Sequence, residues 1–325
     1  MGKTVVVALG GNAITRSGQA GTYAEQAENA LGMADAVCRL RAAGWTVVLV
    51  HGNGPQVGNL AVQQQESTGK VPEQPLHVLG AMTEGQLGSL LTLALLRVCG
   101  STLSGVATVV THVVVDPDDP GFSRPTKPIG PFLSEAEARR HADEQGWTVG
   151  EDAGRGYRRL VASPAPLRIV ELDALRALVD RGVVVIAAGG GGVPVVRDEV
   201  GYRGVDAVID KDLAAQRLAT ELGAEALVLV TDVPQVMIDY GTPNAHPIDR
   251  MTVSEAQAHA DDHQFPEGSM GPKMRGAIQF LRAGGRLAVI TNAERACASL
   301  DPNASPEADL GTRIVAADLH LGAAP

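Results

Sequence analysis

Short apolar runs alternate along the chain with longer stretches whose apolar residues recur at helical spacing. Residues 4–9 carry Val5, Val6 and Val7 in succession, a run that predicts a strand buried on both faces, as in a parallel sheet. It ends in Gly10-Gly11-Asn12. Thr22 with Glu25 three residues on is a capping-box pattern that starts a helix, which closes before Gly44. Residues 46–50 repeat the strand signal and end in His51-Gly52-Asn53-Gly54-Pro55, and Pro55 suits a first helical position. Residues 75–98 are apolar at helical spacing, and 106–115 predict another strand. Beyond residue 164 come a helix around 173–181, a strand at 183–188 ending in four glycines, Gly189 to Gly192, and a helix at 213–222 entered through Asp210-Lys211-Asp212. A strand at 226–230 ends in Thr231-Asp232. Thr252 and Glu255 form a second capping box, residues 268–273 open a helix, and 287–290 predict a strand. Repeated strand–turn–helix units predict an α/β fold with a mainly parallel sheet, whose ligands sit at the carboxyl ends of the strands.

Residues 116–164 break this rhythm. The stretch DPDDPGFSRPTKPIGPF is dense in Pro and Asp, a short charged helix SEAEARRHADEQG follows, and then the polar run EDAGRGYRR. Phe122, Ile129, Phe132, Trp147 and Tyr157 give it something to pack. The prediction is one domain over residues 1–325 with a small subdomain at 116–164 inserted in it.

Composition narrows the function. The chain has 325 residues and net charge −10, which disfavours nucleic acid or an anionic membrane as a main partner. Aromatics are only 3% of residues, so the core must come from Val, Leu, Ala and Ile. Cys38, Cys99 and Cys297, odd in number and widely spaced, argue against a disulfide framework and for a cytoplasmic setting; Cys38 and Cys99 fall in helical apolar patterns as packing residues. No signal-peptide core is expected at the start, and no run long enough to span a bilayer.

Gly10-Gly11-Asn12, Gly52-Asn53-Gly54 and the Gly190-Gly191 turn each follow an apolar strand, and each offers backbone N–H groups to an anion at close range. There is no Walker A sequence, no GxGxxG, and no setting for a serine triad or a reactive thiol. His51 and His112 are expected to be core or turn residues. Only five lysines occur, and three of them, Lys127, Lys211 and Lys273, lie in Gly- or Pro-rich turns, where a compact cation suits a phosphate. Lys211 falls at or near a helix N-terminus, which adds its own preference for anions.

With these residues in view, VVALGGNAI, HGNGPQVGN, VVVDPDDPGF, PTKPIGPF, EDAGRG, GGGGVPVV, AVIDKDLA and GSMGPK closely resemble, in order, the motifs of the carbamate kinases of the amino-acid-kinase superfamily. The resemblance covers nearly the whole chain. It implies a three-layer αβα sandwich, a protruding subdomain, a homodimer, and Mg2+ with ATP or ADP. It implies the reaction carbamoyl phosphate + ADP giving carbamate + ATP, often after arginine breakdown. Lys211 and Lys273 resemble the lysines that neutralise the transferring phosphoryl group, and Asp212 the acid that holds them. Gly10, Gly11 and Asn12 resemble the phosphate-facing turn, with Gly190 and Gly191 beside it. Gly52, Asn53 and Gly54 resemble the carbamate side, and Lys127 the subdomain lysine that reaches over the substrate. Asp210, Asp232, Val236, Tyr240, Met270 and Gly271 fall on the nucleotide side, and no protein-built metal site is expected.

Departures from that pattern are Glu84, where the family usually has Gln, Ser89, where an aromatic is common, Pro234 and Gln235, and VASPAP without a lysine. Glu84 in the pocket would set a negative charge beside an anionic substrate; on the surface it would have no consequence. The rival functions are a kinase of the same fold acting on another small carboxylate, and an inactive nucleotide-binding regulator.

Overall fold

The structure is a computed structural model that describes residues 3–16, 18–152, 154, 156–300 and 310–316. Its centre is an eight-stranded sheet in the order Arg250–Thr252, Thr312–Val315, Leu287–Thr291, Ala226–Val230, Lys3–Leu9, Trp45–His51, Val184–Ile186, Val106–Thr108. From Leu287–Thr291 to Val106–Thr108 every pairing is parallel; Thr312–Val315 runs antiparallel to Leu287–Thr291 and parallel to the edge strand Arg250–Thr252.

The apolar runs explain the layers. Val6, Ala8, Val48 and Val50 point to one face, where they meet Ala214, Leu218, Ala277 and Leu281 of the helices Lys211–Leu222 and Met270–Arg282. Val5, Val7, Val47 and Leu49 point to the other, against Ala30, Val37, Leu87 and Leu91 of the helices Tyr23–Ala42 and Leu76–Cys99. A strand buried on both faces needs no polar alternation, and each Val or Leu fully buried contributes about 1.5–3 kcal/mol. The result is the expected three-layer αβα arrangement. Thr22 and Thr252 cap their helices through complete capping boxes with Glu25 and Glu255.

The single strand expected at 106–115 is two. Val106–Thr108 edges the main sheet, and His112–Val115 joins a second, four-stranded sheet with Tyr202–Gly204, Val193–Arg197 and Pro166–Ile169. The break falls at Thr111, whose N–H goes to the Glu84 carboxyl group and whose hydroxyl goes to the Val109 carbonyl. Residues 127–161 hold a third sheet, Lys127–Leu133, Tyr157–Val161 and Thr148–Glu151, all antiparallel, with the helix Glu135–Gln145. It sits hard against the helix Gly54–Glu66: a Cβ on Gly58 would lie 1.9 Å from the Gly130 Cα.

Two expectations are corrected. The helix Leu76–Cys99 belongs to a segment, Leu76–Thr102, long and apolar enough by length and composition to cross a membrane, with 50% of its apolar window buried inside the protein. Cys38 and Cys99 are joined in a disulfide, their Cα atoms 5.7 Å apart. Wide spacing in sequence is no obstacle once the helices carrying them pack side by side, and the pairing removes thiol usage as an argument for a reducing compartment. It closes a separation of 61 residues. The double variant Cys38→Ser, Cys99→Ser is therefore expected to lose about 2–4 kcal/mol of unfolding free energy in urea against the oxidised wild type; coincident midpoints would show that the link adds nothing.

Candidate active site

Three elements deliver charged groups to one place. Asp210 caps the helix Lys211–Leu222, its Oδ1 accepting from the N–H groups of Asp212 (2.9 Å) and Leu213 (3.4 Å). Its other oxygen, Oδ2, accepts from the Lys127 ammonium at 2.6 Å, across from the subdomain sheet. Asp212 is buried, and its two oxygens take one lysine each: Lys211 Nζ at 2.6 Å and Lys273 Nζ, from the helix Met270–Arg282, at 3.0 Å.

Burial works to raise both carboxyls. For Asp212 it is outweighed by Lys211 and Lys273, and for Asp210 chiefly by Lys127, so both are held below the usual carboxylate range. Burial pulls Lys211 down more than Asp212 restores, whereas for Lys273 the pull of Asp212, with Asp210 and Asp232 adding, wins and raises it. The ion pairs set three lysine ammonium groups against two carboxylates, a surplus of one positive charge among these five side chains.

The glycine turns converge on the same ground. Gly52 N–H reaches the Leu9 carbonyl at 3.2 Å. A Cβ on Gly190 would fall 2.1 Å from the Asn53 amide, and one on Gly191 would fall 2.2 Å from the Ile209 carbonyl oxygen, next to Asp210. No side chain fits at either place, and Gly190 and Gly191 also have φ of 66° and 101°. Asn53 is itself fixed, donating to the Thr83 hydroxyl at 2.8 Å. Gly10 abuts the Val230 carbonyl oxygen, and Gly11 and Asn12 open the short helix Gly11–Ile14. The structure therefore brings Gly10, Gly52–Gly54, Gly190, Gly191, Asp210, Lys211, Asp212, Lys273 and Lys127 to the carboxyl ends of the parallel strands.

The nucleotide-side residues are placed unevenly. Asp232 follows the strand Ala226–Val230, exposed and within the field of Lys273. Tyr240 is 68% exposed, whereas Val236 is in the core with its N–H given to Thr312 Oγ1 at 2.8 Å. Met270 opens the Lys273 helix, half-buried, and Gly271 donates its N–H to the Pro266 carbonyl at 2.9 Å.

The amino acid kinase family model matches residues 3–292. The carbamate kinase of Thermococcus kodakarensis is 46% identical, over 96% of this chain and 99% of its own. That of Pyrococcus furiosus is 44% identical, over 93% of this chain and 97% of its own. The chain belongs to the carbamate kinases of the amino acid kinase family. Solved structures agree: carbamate kinase from Giardia lamblia bound to citric acid superimposes with a TM-score of 0.90 at 42% identity, covering 97% of this chain and 99% of that one. The same enzyme bound to AMP-PNP gives a TM-score of 0.87 at 42% identity, with the same coverage.

Against that carbamate kinase background, three placements were not legible in the motifs. Arg158 binds Asp152 at 3.1 Å and the Gly130 carbonyl at 2.9 Å, and its Nη2 also lies 4.0 Å from where a Gly54 Cβ would be. Arg155 lies outside the described residues. Glu84 is neither in the pocket nor on the surface; it is buried behind the glycine turn. Thr111, named by no motif, joins Glu84 to that turn. A lone threonine in an apolar stretch is a weak signal, and only the fold shows what it holds.

Proposed function

We propose that the protein catalyses reversible phosphoryl transfer between ATP and carbamate, carbamoyl phosphate + ADP giving carbamate + ATP. The observation that carries this is Asp212 holding Lys211 and Lys273 side by side at the starts of two helices, with Lys127 facing them from the subdomain sheet. Carbamate is already an anion, so its attack on phosphorus needs no general base. The barrier lies in assembling anions and in the charge that develops on the transferring group, and positioned cations and backbone amides lower both. Lys211 and Lys273 are assigned to the phosphoryl oxygens, the Gly10–Asn12 and Gly190–Gly191 amides to the phosphates, and Gly52–Gly54 to the carbamate. The deciding experiment is ATP formation from ADP and carbamoyl phosphate by purified protein, against a panel of acetate, glutamate, N-acetylglutamate, aspartate and uridine monophosphate as acceptors with ATP. Faster ADP release with any of these than with carbamate would refute the assignment.

Among the described residues no group of three or more His, Cys, Asp or Glu is placed to hold a metal ion, and both Asp210 oxygens are engaged. Mg2+ is assigned to the nucleotide, where it offsets phosphate charge. The segment 116–164 is assigned as a subdomain that closes the site, and its Gly58–Gly130 approach and the Lys127–Asp210 pair are the closed contacts. A homodimer is also proposed, supported by exposed Met82, Leu93 and Leu96 on the helix Leu76–Cys99 beside the edge strand Val106–Thr108. A role in arginine breakdown rests on the motif resemblance alone.

Lys127→Ala is expected to raise KM for carbamoyl phosphate about tenfold or more while leaving ADP affinity largely unchanged, because Lys127 comes from the subdomain side. Titration calorimetry with ADP beside steady-state kinetics checks it. An equal loss for both ligands would place Lys127 on the nucleotide instead.

A further inference from the structure

Glu84 lies on the helix Leu76–Cys99, only 2% exposed, outside the groups assigned to phosphoryl transfer. Its Oε2 accepts the Thr111 N–H at 2.9 Å. Thr111 in turn holds both ends of the glycine turn. Its hydroxyl oxygen accepts the Ala188 N–H at 2.9 Å, and its carbonyl accepts the Val193 N–H at 2.8 Å. Between these anchors Gly190, Gly191 and Gly192 have positive φ, and Ala188 shares that conformation at φ 49°, which a residue with a Cβ adopts only when its surroundings enforce it. The turn therefore depends on its anchors for its shape.

We propose that Glu84 is a positioning residue for the Gly189–Gly192 turn, acting through Thr111 as a neutral carboxylic acid. This rests on the reading of that turn as part of the anion site. The neutral form follows from the surroundings. Glu84 Oε1 is buried with no hydrogen-bond partner, so an ionised carboxylate would be left with little compensation. The charge whose field acts on it is another acid, Glu171, itself paired with His112 at 2.8 Å. His51, whose ring packs against Gly189 of the same turn, is also uncharged, since burial brings it down to about 4. Burial first, with Glu171 adding, outweighs the Thr111 bond and pushes the Glu84 carboxyl well above its ordinary range. Ionisation at alkaline pH would put a negative charge directly behind a turn meant for anions.

The sign of the stability effect is fixed. Folding raises this carboxyl above its ordinary 4.5, so the stability linked to its proton is full below that value and is lost as pH rises towards the folded one. Glu84→Gln keeps the shape and stays neutral at every pH. Its melting temperature is expected to exceed that of the wild type by a margin near zero at about pH 5 that widens by several degrees at about pH 9. In kinetics, kcat/KM for carbamoyl phosphate should decline at alkaline pH in the wild type and not in Glu84→Gln. Glu84→Ala should lose roughly 10- to 100-fold near neutrality through misplacement of the turn, and Gln should restore most of it. A melting margin that does not change with pH overturns the proposal even if the enzyme makes ATP. Wild-type protein that makes no ATP overturns the functional reading instead, and the melting comparison still decides the state of Glu84.

Discussion

Lys211→Ala is expected to remain folded and to turn over carbamoyl phosphate about 10²- to 10³-fold more slowly. The reason is the charge count. With Lys211 present, three ammonium groups face two carboxylates; without it, two face two, and the surplus positive charge is gone. That surplus matters most when the phosphoryl group is between donor and acceptor. Ground-state binding keeps Lys273 and the backbone amides, so KM for ADP should move little. The fold should survive because Asp212 keeps Lys273 as a partner and the Asp210 cap of the helix is untouched. Lys211→Arg should rescue poorly, since a planar guanidinium cannot replace a point charge buried against one carboxylate oxygen. Circular dichroism and single-turnover rates check this together. A folded alanine variant with near-normal turnover would refute the role.

How much of this was legible in the chain follows from how local each signal is. Strands such as Lys3–Leu9 and Trp45–His51 were plain, because a continuous apolar run has one good solution in an α/β fold, and the capping boxes at Thr22 and Thr252 were as clear. Lys211, Lys273 and Lys127 stood out because lysine is scarce and each sits at a turn. The hold of Asp212 on Lys211 and Lys273 came from the motif resemblance and not from spacing, since 61 residues separate Asp212 from Lys273, and the pairing of Lys127 with Asp210 came only from the fold. What stayed hidden was non-local. Nothing near Cys38 in sequence points to Cys99. Thr111 looks like part of a strand until Glu84, Val109 and Ala188 are seen to claim its hydrogen bonds. Glu84 reads as surface or pocket because a carboxylate is normally one or the other, and burial as a neutral acid is visible only in three dimensions.

Asp212→Asn carries the other large effect, and it reaches stability as well as rate. Asp212 is buried and shared, so removing its charge leaves Lys211 and Lys273 facing each other with far less compensation. Breaking one side of a buried ion pair costs about 3–5 kcal/mol, and here two cations lose the same partner. The lysines should respond by moving apart or giving up a proton, and either change removes the geometry the phosphoryl group needs. Turnover is therefore expected to fall by at least about 10²-fold. The pH dependence has a definite sign. Folding depresses the Asp212 carboxyl, so its contribution is present above the unfolded value of 3.8 and is lost as pH falls through the folded one; the gap between wild type and Asp212→Asn should narrow under acid. A second substitution separates charge from packing. If the cost comes from uncompensated cations, Asp212→Asn with Lys273→Met should be less destabilised than the two single effects added together, a coupling that urea midpoints resolve. Strict additivity, or an Asp212→Asn protein as stable as the wild type at neutral pH, would mean that Asp212 does not organise the two lysines.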